Sequence, residues 1–348
     1  MFKKEFAAFI FSLLALFNCL IDCQEPSLTI ISYNVNNLFD TVKNGTEYRD
    51  FDPSQGKWND DSFQKRLGQI SQALLAACPT GAELILLQEI ENRNVLEALL
   101  NQTPLKDLGY RYYLATPQPT SATTVGLLSK LPVLESRIHS QQVLGQEPQR
   151  EILEVTIRLD DEIWLVFNSH WKSKKEGALK TEAQRLATAS LILKRLEEIN
   201  RTQDYQAIIL AGDFNESHDE YLRVNRSYQT ALVPASALTD FKALKGSILL
   251  VAEPAQACFN DCQFFFYEPW FTCSSEPLGS FWYGGEWGSL DHILILFNNS
   301  HWQPKAFKAF AADFLLDPVT GAPLTYKPQR PERGFSDHLP LILTLKRR

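Results

Sequence analysis

Two histidines, four carboxylates and two amides stand out because each falls where an apolar run meets a turn: His170 and His338, Glu89, Asp213, Asp291 and Asp337, Asn34 and Asn215. Singly, these residue types mean little. An asparagine after a strand ordinarily caps a turn, a loop acid is ordinarily solvated, and a histidine there is as often structural as chemical. Brought together, they could hydrolyse a phosphoester. That reaction needs an oriented water, neutralised charge on the phosphorus oxygens and a proton for the leaving oxygen. Hard oxygen ligands suit Mg2+ or Mn2+, with Ca2+ a third candidate, held by few protein groups so that substrate phosphate completes the shell.

The elements between these residues must bring them together. Apolar, β-branched runs predict strands over Leu28–Tyr33, Leu84–Leu87, Val125–Ser129, Ile152–Leu159, Ile163–Asn168, Ala207–Ala211, Leu290–Phe297 and Pro340–Leu345. In Ile152–Leu159, Leu153, Val155, Ile157 and Leu159 share one face against Glu154, Thr156 and Arg158. Helical spacing links Leu67, Ile70, Leu74 and Ala77, and again Leu186, Ala189, Leu193 and Leu196 in the segment beginning at Thr181. Interleaved strands and helices with hairpin-like strand pairs make the fold α/β (α+β) with mixed sheets. Asn34, Glu89, His170 and Asp213/Asn215 follow strands, whereas Asp291/His292 and Asp337/His338 open the last two. If those last strands run antiparallel to the others, all six positions reach one rim, where ligand sites tend to lie.

The run Ile31-Ser32-Tyr33-Asn34-Val35-Asn36-Asn37-Leu38-Phe39-Asp40, with Leu87-Gln88-Glu89, Asn168-Ser169-His170, Gly212-Asp213-Phe214-Asn215, Leu290-Asp291-His292 and Ser336-Asp337-His338, resembles the endonuclease/exonuclease/phosphatase superfamily over residues 28–345. The resemblance implies a four-layered sandwich of two packed mixed β-sheets flanked by helices. It also implies roles: Asn34, Glu89 and Asp337 in or near a metal site, Asp213 and Asn215 orienting water and phosphate, and His338 as base or proton relay with Asp291 fixing its tautomer. His170 would steady the phosphate or assist the leaving group, as in the deoxyribonuclease, inositol-phosphatase and sphingomyelinase branches. Arg150 matches a phosphate-contacting arginine of the deoxyribonuclease type, with a plain strand-edge arginine as the alternative. Asn36 is ambiguous, since some relatives carry a carboxylate there. His170-Trp171-Lys172-Ser173-Lys174 and Gly285-Glu286-Trp287-Gly288 are similar to bacterial secreted members labelled endonucleases.

Composition constrains the partner. The 348 residues are 45% hydrophobic and 22% charged, and the net charge of −7 works against binding a polyanion by bulk electrostatics. Lys172, Lys174 and Lys175 supply a local basic patch, read either as contacts to a polymer backbone or as a solvated charge run. Nucleic acid is the leading substrate; a small or lipid phosphoester is the alternative, and a non-catalytic surface-binding protein a third reading. The lipid reading draws on Phe264-Phe265-Phe266-Tyr267-Glu268-Pro269-Trp270-Phe271, an exposed aromatic loop or, more simply, a buried strand plus a turn. Lys3, Lys4 and the apolar run Phe6–Phe17 predict a signal peptide over 1–23, an exported protein and a catalytic domain over 24–348. Cys19 is a lipidation and membrane-anchoring candidate, and two of Cys258, Cys262 and Cys273 could pair in an oxidising compartment.

Overall fold

The structure, a computed structural model, describes residues 27–117, 121–140, 149–200, 204–240, 244–260 and 263–348. The expectations for residues 1–23, Cys19 and Cys262 fall outside these segments. Two mixed sheets dominate. The first, of six strands, has the order β16-β17-β1-β2-β4-β3, built from β1 (Ser27–Leu38), β2 (Leu84–Ile90), β3 (Tyr112–Ala115), β4 (Thr124–Ser129), β16 (Trp302–Ala309) and β17 (Leu341–Arg347). The second, of nine strands, runs β5-β6-β7-β8-β15-β12-β10-β9 with β11 beside β12. Its members are β5 (Val133–His139), β6 (Ile152–Leu159), β7 (Glu162–His170), β8 (Ala207–Asp213), β9 (Leu232–Pro234), β10 (Ile248–Val251), β11 (Phe259–Asn260), β12 (Gln263–Tyr267) and β15 (Asp291–Phe297). A separate hairpin joins β13 (Phe281–Tyr283) to β14 (Glu286–Gly288).

Strand periodicity sorts the second sheet's side chains into two cores. Along β7, Trp164 and Val166 enter the core between the sheets, while Leu165 and Phe167 face the opposite way. Along β8, Ala207, Ile209 and Ala211 alternate with Ile208 and Leu210; along β15, Ile293, Ile295 and Phe297 alternate with Leu294 and Leu296. Helix α3 (Ala178–Asn200) covers the outer face with Ala189, Ile192, Leu196 and Ile199. Helices α1 (Asp60–Ala77) and α2 (Arg93–Asn101) cover the first sheet, giving the four layers of the sandwich. Asn59 caps α1 by accepting from Ser62 N, and Asn92 caps α2 through Asn94 N and Val95 N; each such cap is worth about 1 kcal/mol.

The expected strands all form, and the antiparallel condition holds. β17 pairs antiparallel with β1, β15 pairs antiparallel with β8, and β1–β2 and β7–β8 are parallel. Strand ends differ from expectation: β1 runs on to Leu38, β2 to Ile90, β7 to His170 and β8 to Asp213, so Asn34, Glu89, His170 and Asp213 lie within strands rather than after them. Helix α2 and the edge strands β3, β5 and β16 were not foreseen; nearly all of β5 is exposed, so no apolar alternation marks it. The Phe264–Phe271 stretch is a buried strand plus a turn: β12 continues into a short 3-10 turn over Pro269–Thr272, and Trp270 is buried with its Nε1 donating to the Asp291 carbonyl. Cys78, Cys258 and Cys273 carry free thiols. No helix among the described residues is long and apolar enough to cross a membrane.

Candidate active site

The face parity that fills the inter-sheet core also aims the polar set. Trp164, Val166 and Asn168 point inward along β7, so His170 at its end does too; Asp213 and Asp291, which pair across β8 and β15, follow the same rule. His292, one residue on, faces the other way. Its Nδ1 meets Glu268 Oε2 at 2.5 Å, its Nε2 donates to the Glu216 carbonyl at 2.9 Å, and its ring stacks on Phe214. The first sheet contributes Asn34 and Glu89, and the turn entering β17 contributes Asp337 and His338. Asn34 closes the gap between sheets, donating from Nδ2 to Asp213 Oδ2 at 3.0 Å and Glu89 Oε1 at 3.3 Å. Ser336 Oγ donates to the Asn34 carbonyl at 2.7 Å and so fixes where the Asp337-His338 turn lies.

The backbone is held in uncommon conformations here. Asn36, Asn37, Glu89 and Asn215 all have positive φ, between 50° and 74°, a region that non-glycine residues seldom occupy and that clusters at functional sites. Arg66, fully buried on α1, donates to the carbonyls of Val35 and Asn37, which flank Asn36. Asn215 is held by its own N–H donating to Asp213 Oδ1 at 2.9 Å, and its Nδ2 reaches the Trp171 carbonyl. Only glycine fits before this turn: a Cβ on Gly212 would lie 1.9 Å from the Ser169 carbonyl oxygen.

Electrostatics separate the two histidines. His338 Nδ1 donates to Asp291 Oδ2 at 2.7 Å, and its Nε2 lies 3.7 Å from Asp213 Oδ2. Burial alone would lower its pKa, but Asp291 and Asp213 outweigh burial and raise it well above the usual histidine value. His170 Nε2 lies 3.3 Å from Asp213 Oδ2, yet burial, reinforced by the positive field of Arg150, His338 and Lys175, holds His170 well below that value. Asp213 is pushed up to about 7, by burial first and then by Asp291, against His338 and Asn34. Environments that drive paired groups apart are how one site holds an acid and a base together. The charge of Arg150 acts on both His170 and Glu89.

The residues fit a divalent cation. Glu89 is raised by burial and then by Asp337, a charge conflict that a cation between them would remove. Among the described residues, Asp213, Asp291 and His338 have ligand atoms mutually within 4.8 Å. There the imidazole Nδ1 is already given to Asp291, so the Glu89–Asp337 side, with oxygen donors alone, is the better match to a hard ion. His170 Nδ1, Asp291 Oδ1 and Arg150 Nε are buried without a partner, as expected where substrate or water completes a network.

Lys172 and Lys174 turn out to be engaged. Lys172 pairs with Glu176 and Lys174 with Glu220, each at 2.6 Å, so neither is the free cation expected for a polymer backbone. Ser280 was missed: its Oγ donates to Asp291 Oδ2 at 2.5 Å, and no motif in the sequence marks it.

The sequence matches the Endonuclease/Exonuclease/phosphatase family over residues 29–347, and the chain belongs to that family, whose members are phosphoester hydrolases. Its fold is shared by an endonuclease/exonuclease/phosphatase family protein from Bacteroides thetaiotaomicron, at 16% identity over 92% of this chain and 95% of that one, with a TM-score of 0.54. It is also shared by D. rerio TDP2 complexed with single strand DNA product, at 16% identity over 92% and 100% of the two chains and a TM-score of 0.55. A mannosyl-6-phosphatase of Bacteroides thetaiotaomicron aligns at 15% identity over 91% and 99%, with a TM-score of 0.51. No curated protein matches the sequence.

Proposed function

We propose that this phosphoesterase is an exported, divalent-metal-dependent phosphodiesterase that hydrolyses nucleic-acid phosphodiester bonds. The observation that carries the chemistry is the convergence of His170, held well below the ordinary histidine value, and His338, held well above it, on one oxygen of Asp213. A cation held by Glu89 and Asp337, with Asn34 beside them, would neutralise charge on the phosphoryl oxygens. Asp213 and Asn215 orient the attacking water. His338 moves its proton through Nε2, while Asp291 holds Nδ1–H and fixes the tautomer. His170, neutral and facing the same carboxylate, steadies the phosphate or the departing oxygen. Export rests on Lys3, Lys4 and the apolar run from Phe6 to Phe17.

A small phosphoester is the second reading, favoured by the pairing of Lys172 and Lys174, which removes two contacts a polymer would use. Burial of Trp270 counts against a lipid substrate. The deciding experiment is plasmid nicking by residues 24–348 with Mg2+ or with a chelator, beside His338→Ala. Metal-dependent nicking that disappears in the variant supports the nuclease reading. Folded protein that nicks nothing but releases phosphate from sugar phosphates supports the second.

A further inference from the structure

The catalytic rim carries cations that are committed and cations that are not. Lys172 and Lys174 hold glutamates, whereas Lys57, Lys327, Arg330 and Arg333 are exposed and form no ion pair among the described residues. The last three belong to the loop that leads into Asp337-His338, and its sequence explains its shape. Lys327-Pro328-Gln329-Arg330 and Arg330-Pro331-Glu332-Arg333 are consecutive turns, closed by Arg330 N donating to the Lys327 carbonyl at 2.9 Å and Arg333 N to the Arg330 carbonyl at 3.0 Å. Each has proline in its second position, where the ring presets φ. A turn brings its first and last Cα atoms within about 7 Å. Lys327, Arg330 and Arg333 therefore stand at successive corners, at a repeat close to that of the phosphates in a nucleic-acid strand.

The loop is fixed to the site at several points. Gln329 Nε2 donates to Asp50 Oδ2 at 2.6 Å, and Gln69 of α1 donates to the Pro331 carbonyl at 2.8 Å. Tyr326 is buried with the Arg66 guanidinium 4.0 Å from its ring centroid, and the same Arg66 holds the Val35 and Asn37 carbonyls. Lys57, in the loop that follows β1, borders a cavity of about 340 Å³ with Pro328, Gln329 and Pro331. Both loops reach the catalytic end of β1, because β17, which the second loop enters, is antiparallel to β1.

We propose that Lys327, Arg330 and Arg333, with Lys57 across the cavity, form the track that carries the sugar-phosphate backbone of a nucleic acid into the site; this rests on the phosphodiesterase reading above. Arg333 stands four residues before Asp337, so their Cα atoms lie within about 14 Å, a few nucleotides from the scissile phosphate. The repeat favours a polymer, since a small phosphoester is met by one convergent pocket and not by cations spaced along a loop. Competing acids are few. Glu332 lies inside the loop, and Asp50 is bound to Gln329. Asp317, on which the charge of Arg333 acts, is occupied by the N–H groups of Val319 and Thr320. A chain of net charge −7 needs such a local patch to hold a polyanion. From Lys327 to Arg333 the loop has no large apolar side chain to insert into a lipid surface.

Binding in chelator tests the track without turnover. Fluorescein-labelled oligothymidylate is titrated by anisotropy at several salt concentrations against wild-type protein, Arg330→Gln/Arg333→Gln, Glu332→Gln and a control pair, Lys106→Gln/Arg111→Gln. The control removes the same charge from exposed positions at the opposite rim, where β3 begins in the same direction as β2. Each single-strand phosphate contact contributes about 0.7 to the slope of log affinity against log salt. The loop pair is therefore expected to lower that slope by about 1.4, and the control pair by less than about 0.7. Neither arginine is ion-paired, so the loop pair keeps the fold. Glu332→Gln removes the acid within the loop and is expected to tighten binding. An unchanged slope in the loop pair, an equal fall in both pairs, weaker binding by Glu332→Gln or no wild-type binding would overturn the track. So would binding of phosphatidylserine vesicles that depends on Arg330 and Arg333 while oligothymidylate binding does not. Hydrolysis in Mg2+ is scored separately, so failure to cleave would count against the phosphodiesterase reading while the binding arm still decides the track.

Discussion

His338 and Asp291 meet at 2.7 Å although they enter from different sheets, Asp291 opening β15 and His338 leading into β17. The contact is therefore a property of sheet packing. Ser280 Oγ holds the same carboxylate oxygen from the side, so Asp291 has little freedom to turn away.

The relay sets the pH dependence. His338 is raised above the ordinary histidine range by Asp291 and Asp213 against burial, so the neutral base is scarce at neutral pH and activity is expected to climb into the alkaline range. Asp291→Asn removes the first of those raising charges. The acid limb of the kcat/KM profile is expected to move to lower pH while the plateau falls by about 10²–10⁴, because the amide can hold the wrong tautomer. A pH–rate series on both proteins checks this; an acid limb that stays in place would remove His338 as the titrating base.

Glu89 and Asp337 are the cation ligands of the proposed mechanism. Burial and mutual repulsion raise Glu89, so Glu89→Gln is expected to raise the melting temperature in chelator. The same change should abolish most of the stabilisation that wild-type protein gains from millimolar Mg2+, because only binding to the native state shifts the equilibrium. Differential scanning calorimetry with and without Mg2+ reads both effects. An equal Mg2+ response in the two proteins would place the ion elsewhere.

Much of this site was legible because its chemistry sits at strand ends. Each of Asn34, Glu89, His170, Asp213, Asp291 and His338 is preceded or followed by an apolar run, and strand direction does the rest. Long-range pairing was not legible. Lys172 and Lys174 read as a basic patch because Glu220 is 46 residues from Lys174 and Glu176 looks like one more charge in the same run. Ser280 and Phe281 carry no motif; the hydrogen bond from Ser280 to Asp291 and the bridge between Phe281 and His338 reveal their place. His292 sits beside a site residue in sequence, yet strand alternation turns it to the other face, against Glu268.

The paired lysines make a specific expectation. In Lys172→Ala/Lys174→Ala, affinity for an oligonucleotide and its salt slope are expected to change by less than one phosphate contact, because each lysine already neutralises a glutamate. Stability should fall by only about 0.5–1 kcal/mol, as for other partly exposed pairs. Binding titrations at several salt concentrations decide it, and a slope reduced by two contacts would restore the basic-patch reading.

Acid sensitivity is expected to track Glu154, buried on β6 and far from any catalytic role. Burial would raise this carboxyl, but hydrogen bonds from His139 and Arg195 outweigh it and hold the pKa down to about 2 from 4.5. A depressed native value means the unfolded chain takes up the proton first. The stabilisation is therefore fully present above about pH 4.5 and is lost as pH falls toward 2. Arg195→Ala leaves the buried carboxylate with His139 alone and should cost about 3 kcal/mol at pH 7, the low end for breaking a buried pair because Arg195 is partly exposed. Urea unfolding of both proteins between pH 7 and about pH 3 tests the coupling. The gap between them should narrow on acidification as the wild-type ion pair is protonated away, and a gap independent of pH would assign the loss to packing of the arginine stem instead.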